Sequence, residues 1–344
     1  KIIPARGSWF TIDTSKSGII SIKMGPRRPR INICTFLRAM GYGSDAEILN
    51  LFKNVKHNED LPNFLEISLA KDPTTNTGAA IFDIYRRLRP DVTANIDNAK
   101  SYIDSLLFDP KRLYLGDVGR YQMNKKLDAR YVKEMSEENY GLLVSDIIGV
   151  VENLLKINYG YVKVDDMDHL GNRRIRSVNE LLGEVVVSAI KKIEKNTKDK
   201  MSLHSTDELL TATDVMSSRP LVTAFRDFFG SSQISRYMSQ KNVLAELSNL
   251  RLITAGGPGG LTKERATFSV RDVHYSQYGR FCVVQTPEGA NIGVVNYLGL
   301  FAKINDYGFI EVPYRRVSKT STVKDALNRI ASEDIKDGKK IIVK

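Results

Sequence analysis

The sequence predicts an α+β fold in which several domains follow one another along the chain. With 344 residues, the chain is long enough for two or three compact domains. Alternating apolar and polar residues near the N-terminus are typical of strands, and apolar stripes with helical spacing fill the middle. Short apolar runs broken by glycine and proline mark the last third. These observations predict mixed helix and strand first and a β-rich domain at the end.

The N-terminal segment predicts a β-hairpin. Residues 9–12 and 18–23 alternate apolar and polar side chains, as half-buried strands do, and a turn at Gly25-Pro26 follows them. Because the chain begins without a methionine or a signal-peptide core, we interpret it as a fragment or a processed piece. No apolar run is long enough to cross a membrane.

Periodic apolar side chains predict helices through the middle of the chain. Ser44 and Glu47 have the spacing of a capping box and predict the start of a short helix. The side chains expected to face inward from it are Ile48, Leu49, Leu51 and Phe52. Further helices are predicted at residues 78–89, 95–107, 143–156 and 178–200. The segment 115–127 lacks an apolar period and is predicted to begin as a loop and to end in basic residues.

Charge and cysteine content narrow the possible functions. The chain carries 51 Lys and Arg against 40 Asp and Glu, and the resulting net charge of +11 favours a polyanionic partner. Cys34 and Cys282 stand alone, so neither a disulfide framework nor a zinc site is indicated. Both are predicted to be packing residues in a reducing compartment.

A charged segment at residues 164–176 has little apolar period, which suits a crossing between two domains. It holds three aspartates followed by three arginines: Asp165, Asp166 and Asp168, then Arg173, Arg174 and Arg176. Ion pairing that orders the junction is favoured over a bound cation. The four histidines are dispersed, so no metal site is predicted.

Three glycine-rich motifs carry the clearest information about function: Phe-Gly-Ser-Ser-Gln at 229–233, Gly-Gly-Pro-Gly-Gly-Leu-Thr-Lys-Glu-Arg at 256–265, and Gln-Thr-Pro-Glu-Gly-Ala-Asn-Ile-Gly at 285–293. The second lacks the Gly-Lys-Ser/Thr ending of a phosphate-binding P-loop. In this order and spacing the motifs resemble the rifamycin-pocket and fork region of the bacterial RNA polymerase β subunit. Further matching segments, among them Ile3–Trp9, the Asp-His-Leu-Gly-Asn stretch and Val270–His274, extend the resemblance over essentially the full chain.

The resemblance implies a lobe at residues 1–157, an interdomain crossing at 158–174, part of the protrusion at 175–235, and the fork at 236–344. It implies a part of the polymerase that holds downstream DNA, the nontemplate strand and the RNA–DNA hybrid. The expected partners are DNA, RNA and the β′, α and sigma subunits, in a cytoplasmic, nucleoid-associated enzyme. The nucleotidyltransferase chemistry would need Mg²⁺ held by β′. The chain alone is therefore expected to bind no cofactor, to contain no catalytic residue and to be inactive.

Residue roles are carried over from the family's motifs. Asp168 would accept hydrogen bonds from a guanine edge, Arg173 and Met167 would wall its pocket, and Trp9 would stack on the preceding base. From the residues alone, Trp9 is equally compatible with a buried core indole. The expected DNA-binding residues are Trp9, Arg27, Arg28, Met167, Asp168, Arg173, Arg176, Lys195, Lys263 and Arg265. The residues expected near the RNA hybrid and the rifamycin pocket are Gln233, Arg236, Tyr237, Ser239, Asn249, Arg251, Leu252, Thr254, Glu288 and Asn291.

The rifamycin-pocket segment departs from the family's pattern. Where the family presents Gln, Asp, His, Arg and Ser, this chain has Arg236, Ser239, Asn249, Leu252 and Thr254. Loss of a carboxylate and a cation removes charge-assisted hydrogen bonds. We therefore hypothesise that the parent polymerase tolerates rifamycins.

Two other classes of function fit parts of the same pattern. A stand-alone, nonenzymatic single-strand DNA-binding module would share the basic and stacking residues. A small-molecule enzyme that uses the glycine-rich loop would need to bind a nucleotide on its own.

Overall fold

The computed structural model describes residues 1–25, 28–90, 95–203, 211–262 and 266–314, together with the strand Ile341–Val343. The chain divides into two compact units, Lys1–Asp165 and Asp166–Lys344. Both units combine helices with small antiparallel sheets, so the predicted α+β class is confirmed. None of the helices in these ranges is long and apolar enough to cross a membrane.

A three-stranded antiparallel sheet opens the first unit. Its strands are β1 (Phe10–Thr14), β2 (Ile20–Met24) and β3 (Arg30–Asn32). Ile12 lies opposite Ile22, which lies opposite Ile31, and all three side chains are buried. The alternation seen in the sequence thus places one apolar face on the core, and the predicted hairpin is confirmed. Pro26 of the predicted turn lies outside the described residues.

Helices make up the rest of the first unit: α1 (Ile33–Ala39), α2 (Asp45–Leu51), α3 (Phe64–Ala70), α4 (Thr77–Leu88), α5 (Ile96–Leu107), α6 (Gly116–Lys126) and α7 (Val144–Asn158). The predicted capping box is present, because Ser44 and Glu47 each accept the other's backbone N–H at 3.3 Å. Ile48 and Phe52 are buried as predicted, whereas Leu49 is 39% exposed. Leu49 follows Ile48 directly, and adjacent residues of a helix do not share a face.

Helix α6 corrects the prediction that residues 115–127 begin as a loop, because the helix already starts at Gly116. Its fully buried side chain is Arg120, which donates hydrogen bonds to both carboxylate oxygens of Asp146 on α7 at 2.7 and 2.9 Å. Arg120 also donates to the backbone carbonyls of Asn139 at 2.6 Å and Gly141 at 2.7 Å. The helix is therefore anchored by a buried guanidinium, which a search for apolar periodicity cannot detect.

Cys34 on α1 is fully buried in the core of the first unit, as predicted, whereas Cys282 in the second unit is half-buried. Burial, aided by the Asp72 carboxylate, raises the pKa of the Cys34 thiol to about 12. Because the thiolate is the reactive species, we expect Cys34 to react with a thiol reagent at least about tenfold more slowly than Cys282. The Cys282→Ser variant should be nearly unreactive until denaturant is added, and equal native rates for the two thiols would contradict the structure.

The helices described in the second unit are α8 (Val178–Leu203), α9 (Ala212–Val215), α10 (Arg219–Ser231), α11 (Val243–Leu250) and α12 (Phe268–Arg271). The long helix predicted at 178–200 is confirmed, and α10 packs against it. Of the apolar stripe on α8, Ala189 is buried, but Ile190 is 53% exposed.

Short strands follow in the second unit, as predicted. Strands β4 (Leu252–Thr254) and β5 (Val295–Tyr297) form one antiparallel pair, and β6 (Lys303–Ile304), β7 (Ile310–Tyr314) and β8 (Ile341–Val343) form a second sheet. The apolar residues Val270 and Val273 also predicted strand structure, but Val270 lies in helix α12 and Val273 is 74% exposed. Leu170 packs with Ala302, Ile310 and Val312, so the charged segment is anchored to the second sheet.

Candidate nucleic-acid interface

Trp9 lies on the surface of the first unit, immediately before β1. Its side chain is 54% exposed, while its backbone carbonyl accepts the N–H of Gly25 at 2.7 Å. The interpretation of Trp9 as a buried core indole is therefore wrong. An exposed indole at a sheet edge offers a flat surface on which a nucleobase could stack.

The arginines that surround Pro29 are engaged within the first unit. Arg28 donates to the Leu88 carbonyl at the end of α4 at 3.0 Å, and Arg30 pairs with Asp13 at 3.0 Å. Arg28 is exposed, so part of its guanidinium can still face a phosphate. Arg27, another expected DNA-binding residue, lies outside the described residues.

Residues 166–173, called the 166–173 loop below, form a compact turn at the start of the second unit. The Asp166 carboxylate accepts the backbone N–H of Asp168 at 2.9 Å and contacts Nε2 of His274 at 2.7 Å. The Asn172 side chain donates to the Asp166 carbonyl at 2.6 Å, and its N–H donates to the His169 carbonyl at 2.8 Å. These bonds close the loop from within.

The arginines that follow the loop pair with helix α8. Arg174 makes a bidentate pair with Glu180 at 2.7 and 2.6 Å, and Arg176 contacts both Glu180 and Glu184. Hydrogen bonds from Arg174 hold the pKa of Glu180 below its usual range. Ion pairing was predicted here, but between these arginines and the preceding aspartates. The structure instead pairs Asp165 with Lys126 and Asp166 with His274.

Two side chains of the loop that are expected to bind DNA, those of Asp168 and Arg173, form no such ion pairs with described residues. Across the described ranges, neither the Asp168 carboxylate nor the Arg173 guanidinium has a hydrogen-bond or ion-pair partner, although both residues are half-buried. Met167 is 78% exposed beside them. The loop therefore presents an acceptor, a cation and an apolar surface to a ligand, while Arg176 serves the protein's own packing.

Three of the residues expected at the rifamycin pocket lie on one helix–turn–strand unit. Asn249 is in the last turn of α11, and Leu252 and Thr254 lie on β4 opposite Tyr297 and Val295. Arg251 joins α11 to β4 and donates to the carbonyls of Gly299 and, at 3.3 Å, Leu300. Arg251, expected to face RNA, is thus bound to the protein backbone.

The segment 285–293 packs against β5 and α12. Thr286 donates its hydroxyl to the Val295 carbonyl at 3.2 Å and accepts the Gly293 N–H at 3.3 Å. Arg271 of α12 donates to the carbonyls of Ala290 and Ile292 at 2.7 and 2.8 Å. These bonds hold the 3-10 turn Gly289–Asn291 in place, and they leave both expected hybrid-facing side chains, Glu288 and Asn291, exposed.

Gly293 shows why the last glycine of this motif is needed. Its φ is +70°, and a Cβ added there would lie 2.4 Å from the Arg271 carbonyl oxygen. Arg271 and Thr286 lie in two of the motifs that carry the family resemblance, but their residue types alone did not indicate these contacts. A sequence motif gives the residue types but does not show which backbone groups their side chains bind.

The glycine-rich turn continues from β4. The Ala255 N–H donates to the Val294 carbonyl at 2.8 Å, and the Leu261 N–H donates back to the Ala255 carbonyl at 2.9 Å. Gly260 lies so close to this turn that an added Cβ would be 2.5 Å from the Ala255 carbonyl oxygen. The expected DNA-binding residues Lys263 and Arg265 lie outside the described residues.

The remaining expected residues lie on or near the helices of the second unit. Lys195 is exposed on α8. Between α10 and α11, Ser239 is half-buried and the other expected residues are exposed: Gln233, Arg236 and Tyr237. The structure thus joins Asn249, Leu252 and Thr254 to the 285–297 segment, and it places Met167, Asp168 and Arg173 together on one loop. In the ranges described, no cluster of three or more His, Cys, Asp or Glu side chains is arranged to hold a metal ion.

Family models match most of this chain. Residues 1–176 match RNA polymerase Rpb2, domain 2, and residues 236–304 match RNA polymerase Rpb2, domain 3. The second match contains the helix–turn–strand unit and the 285–293 segment described above. The first contains Trp9 and the 166–173 loop.

Curated relatives of this chain are also RNA polymerase subunits. Proteins named DNA-directed RNA polymerase subunit beta are 44% identical over 317 residues in Dehalococcoides mccartyi, 43% over 318 in Syntrophomonas wolfei and 40% over 343 in Chloroflexus aggregans. Each match covers 92% of this chain but only 24%, 28% and 28% of the respective relative. The chain thus spans about a quarter of the length of these relatives. It belongs to the bacterial RNA polymerase β-subunit family and represents the part that contains Rpb2 domains 2 and 3.

Proposed function

We propose that this chain forms one wall of the DNA cleft in a bacterial DNA-directed RNA polymerase. In this proposal residues 1–157 are the lobe, 158–174 the interdomain crossing, 175–235 part of the protrusion, and 236–344 the fork with the rifamycin-pocket segment and the fork loop. Family membership and a net charge of +11 support a nucleic-acid-binding role.

The work of this chain is to bind and position nucleic acid. Basic side chains contact phosphates, Trp9 offers a stacking surface, and the fork segments border the RNA–DNA hybrid. Nucleotidyl transfer would belong to the assembled enzyme with β′, α and sigma, in which Mg²⁺ held by β′ would supply electrostatic stabilisation of the transferred phosphoryl group. We expect the isolated chain to be inactive and the assembled enzyme to act in the cytoplasm, at the nucleoid.

One observation carries the assignment of a base-reading site. Asp168 and Arg173 lie on the same closed loop, and within the described part of the chain neither charge is neutralised by a protein partner. Arg174 and Arg176, only a few residues away, are both paired. Neither Asp168 nor Arg173 is committed to a side-chain interaction in the ranges that the structure describes, so both are available to a ligand. A base edge with N–H donors, such as that of guanine, supplies matching groups.

The stand-alone single-strand DNA-binding module is not favoured, because the similarity to polymerase β subunits covers 92% of the chain. The two functions differ in their dependence on other subunits. Strong, salt-sensitive DNA binding by the chain without β′ and α would support the module, whereas binding that requires them would support the polymerase.

We expect the Asp168→Ala variant of the assembled polymerase to lose most of its preference for guanine in the nontemplate strand. Removing the acceptor should lower the preference for guanine over thymine by about 5- to 100-fold, the worth of one good base contact. The measurement is the lifetime of open complexes on templates that differ at this one base. Asp306→Ala, which removes an exposed carboxylate in the turn between β6 and β7, is the matched control. An unchanged preference in Asp168→Ala would exclude this role.

A further inference from the structure

His274 lies at the centre of a hydrogen-bonded chain that ends at the backbone of Asp168. Its Nε2 is 2.7 Å from one carboxylate oxygen of Asp166, and the other oxygen of Asp166 accepts the N–H of Asp168 at 2.9 Å. On its other side, Nδ1 is 2.6 Å from the Ser276 hydroxyl and accepts the Ser276 backbone N–H at 3.2 Å. Two segments separated by 108 residues are thereby joined through one imidazole.

The network fixes the tautomer of His274. The Ser276 hydroxyl oxygen already accepts the Leu170 N–H at 3.1 Å, so its hydrogen is free to point at Nδ1. The Ser276 backbone N–H also points at Nδ1, which must therefore be the acceptor nitrogen. The proton is then on Nε2, which donates to Asp166. Hydrogen bonds from the Asp168 N–H and from His274 hold the pKa of Asp166 below its usual range.

The far side of this network is rigid. Ser276 is buried, and its carbonyl accepts a hydrogen bond at 3.0 Å from Arg280, which also donates to the Ile310 carbonyl of β7 at 3.1 Å. His274 is 19% exposed, whereas the Asp166 side chain is 47% exposed. The imidazole thus ties the start of the loop, through Asp166, to the same packed region on which Leu170 anchors the rest of the loop.

We propose that His274 is a positioning residue for base recognition, which sets the place of Asp168 by donating a hydrogen bond to Asp166. The proposal rests on the function proposed above for Asp168. His274 itself need not touch DNA, because the Asp166 carboxylate bridges the two residues. Without the Nε2 donor, Asp166 keeps its bond to the Asp168 N–H but loses its connection to the sheet, so the acceptor on Asp168 is no longer held in one position.

Two conservative variants separate this role from a structural one. His274 also caps the 3-10 turn Tyr275–Gln277 by accepting the Ser276 N–H. His274→Asn places an amide oxygen near Nδ1, so it keeps the cap but loses the donor to Asp166. His274→Gln places an amide N–H near Nε2, so it keeps the donor and loses the cap. If His274 only caps the turn, His274→Gln should lower the guanine preference more than His274→Asn. If His274 positions Asp168, His274→Asn should lower it more.

The test uses the complete polymerase assembled with the full-length β subunit, and it measures guanine-over-thymine preference as open-complex lifetime. Asp168→Ala is measured in parallel, and extension on a template without the guanine reports basal activity. We expect His274→Asn to lose at least about threefold in preference, His274→Gln to stay within about twofold of the unchanged enzyme, and both to keep basal activity.

Each other outcome overturns the proposal in a distinguishable way. Loss in His274→Gln with retention in His274→Asn would assign His274 to the cap alone. Retention in both variants while Asp168→Ala loses its preference would leave base recognition standing and remove His274 from it. Loss in both variants would assign the effect to the packing of the turn as a whole. An unchanged preference in Asp168→Ala would remove the base-reading site itself and the positioning role with it.

Discussion

Replacing Arg120 with methionine should lower the free energy of unfolding of the first unit by about 3–5 kcal/mol. The side chain is fully buried and makes a bidentate pair with Asp146, which is also fully buried. Methionine fills a similar volume but leaves the Asp146 carboxylate charged and without its partner in the core. It also leaves the carbonyls of Asn139 and Gly141 without the donors that now satisfy them.

The measurement is chemical denaturation of the chain, followed by a probe of the first unit. Arg30→Met is the matched control, because it removes the same group from an exposed pair with Asp13 and should cost less than about 1 kcal/mol. The double variant Arg120→Met with Asp146→Leu should recover part of the loss, since it leaves no unpaired charge. Equal, small losses in Arg120→Met and Arg30→Met would show that the buried pair does not hold α6 against α7.

Apolar periodicity predicted the elements whose buried faces are apolar. The helix predicted at 78–89 is α4, and the apolar stripe that predicted it is buried: Ala80, Ile81, Ile84, Tyr85 and Leu88. Helix α6 was missed for the opposite reason, because its buried group is the guanidinium of Arg120. A prediction based on hydrophobicity places an arginine on the surface. Arg120 can be buried only because Asp146 on another helix pairs with it.

The sequence likewise predicted some features of the candidate site and missed others. Motif resemblance singled out Asp168 and Arg173, and the structure presents both without protein partners in the ranges it describes. The motif resemblance could not show that Arg176 pairs with glutamates of α8 or that His274 contacts Asp166 of the loop. Such pairings join residues far apart in sequence, and the charge of a side chain does not reveal which opposite charge lies nearest in the fold.

We expect the parent polymerase to resist rifamycins by at least about a hundredfold relative to an enzyme with the family's usual pocket. A carboxylate and a guanidinium are missing at Ser239 and Leu252, and each charge-assisted hydrogen bond contributes about 1.5–3 kcal/mol. The neighbouring cation cannot replace the lost one, because the Arg251 guanidinium is bound to the carbonyls of Gly299 and Leu300. Thr254 retains a hydroxyl, but that oxygen already accepts the Gly256 N–H at 3.1 Å.

The decisive comparison restores the two charges in the assembled enzyme. Leu252→Arg places a guanidinium on β4, and together with Ser239→Asp it should raise rifamycin sensitivity by at least about tenfold in a transcription assay. Leu250→Arg adds the same group two residues earlier, at a position that is 70% exposed at the end of α11, and should leave sensitivity unchanged. Inhibition of the unaltered enzyme at concentrations that stop a sensitive polymerase would contradict the expectation. Leu252 lies opposite Tyr297 in the β4–β5 pair, so a displaced strand would also explain a weak rifamycin site. If sensitivity rises in Leu252→Arg and in the double variant but not in Leu250→Arg, the missing charges explain the loss of affinity and a displaced strand does not.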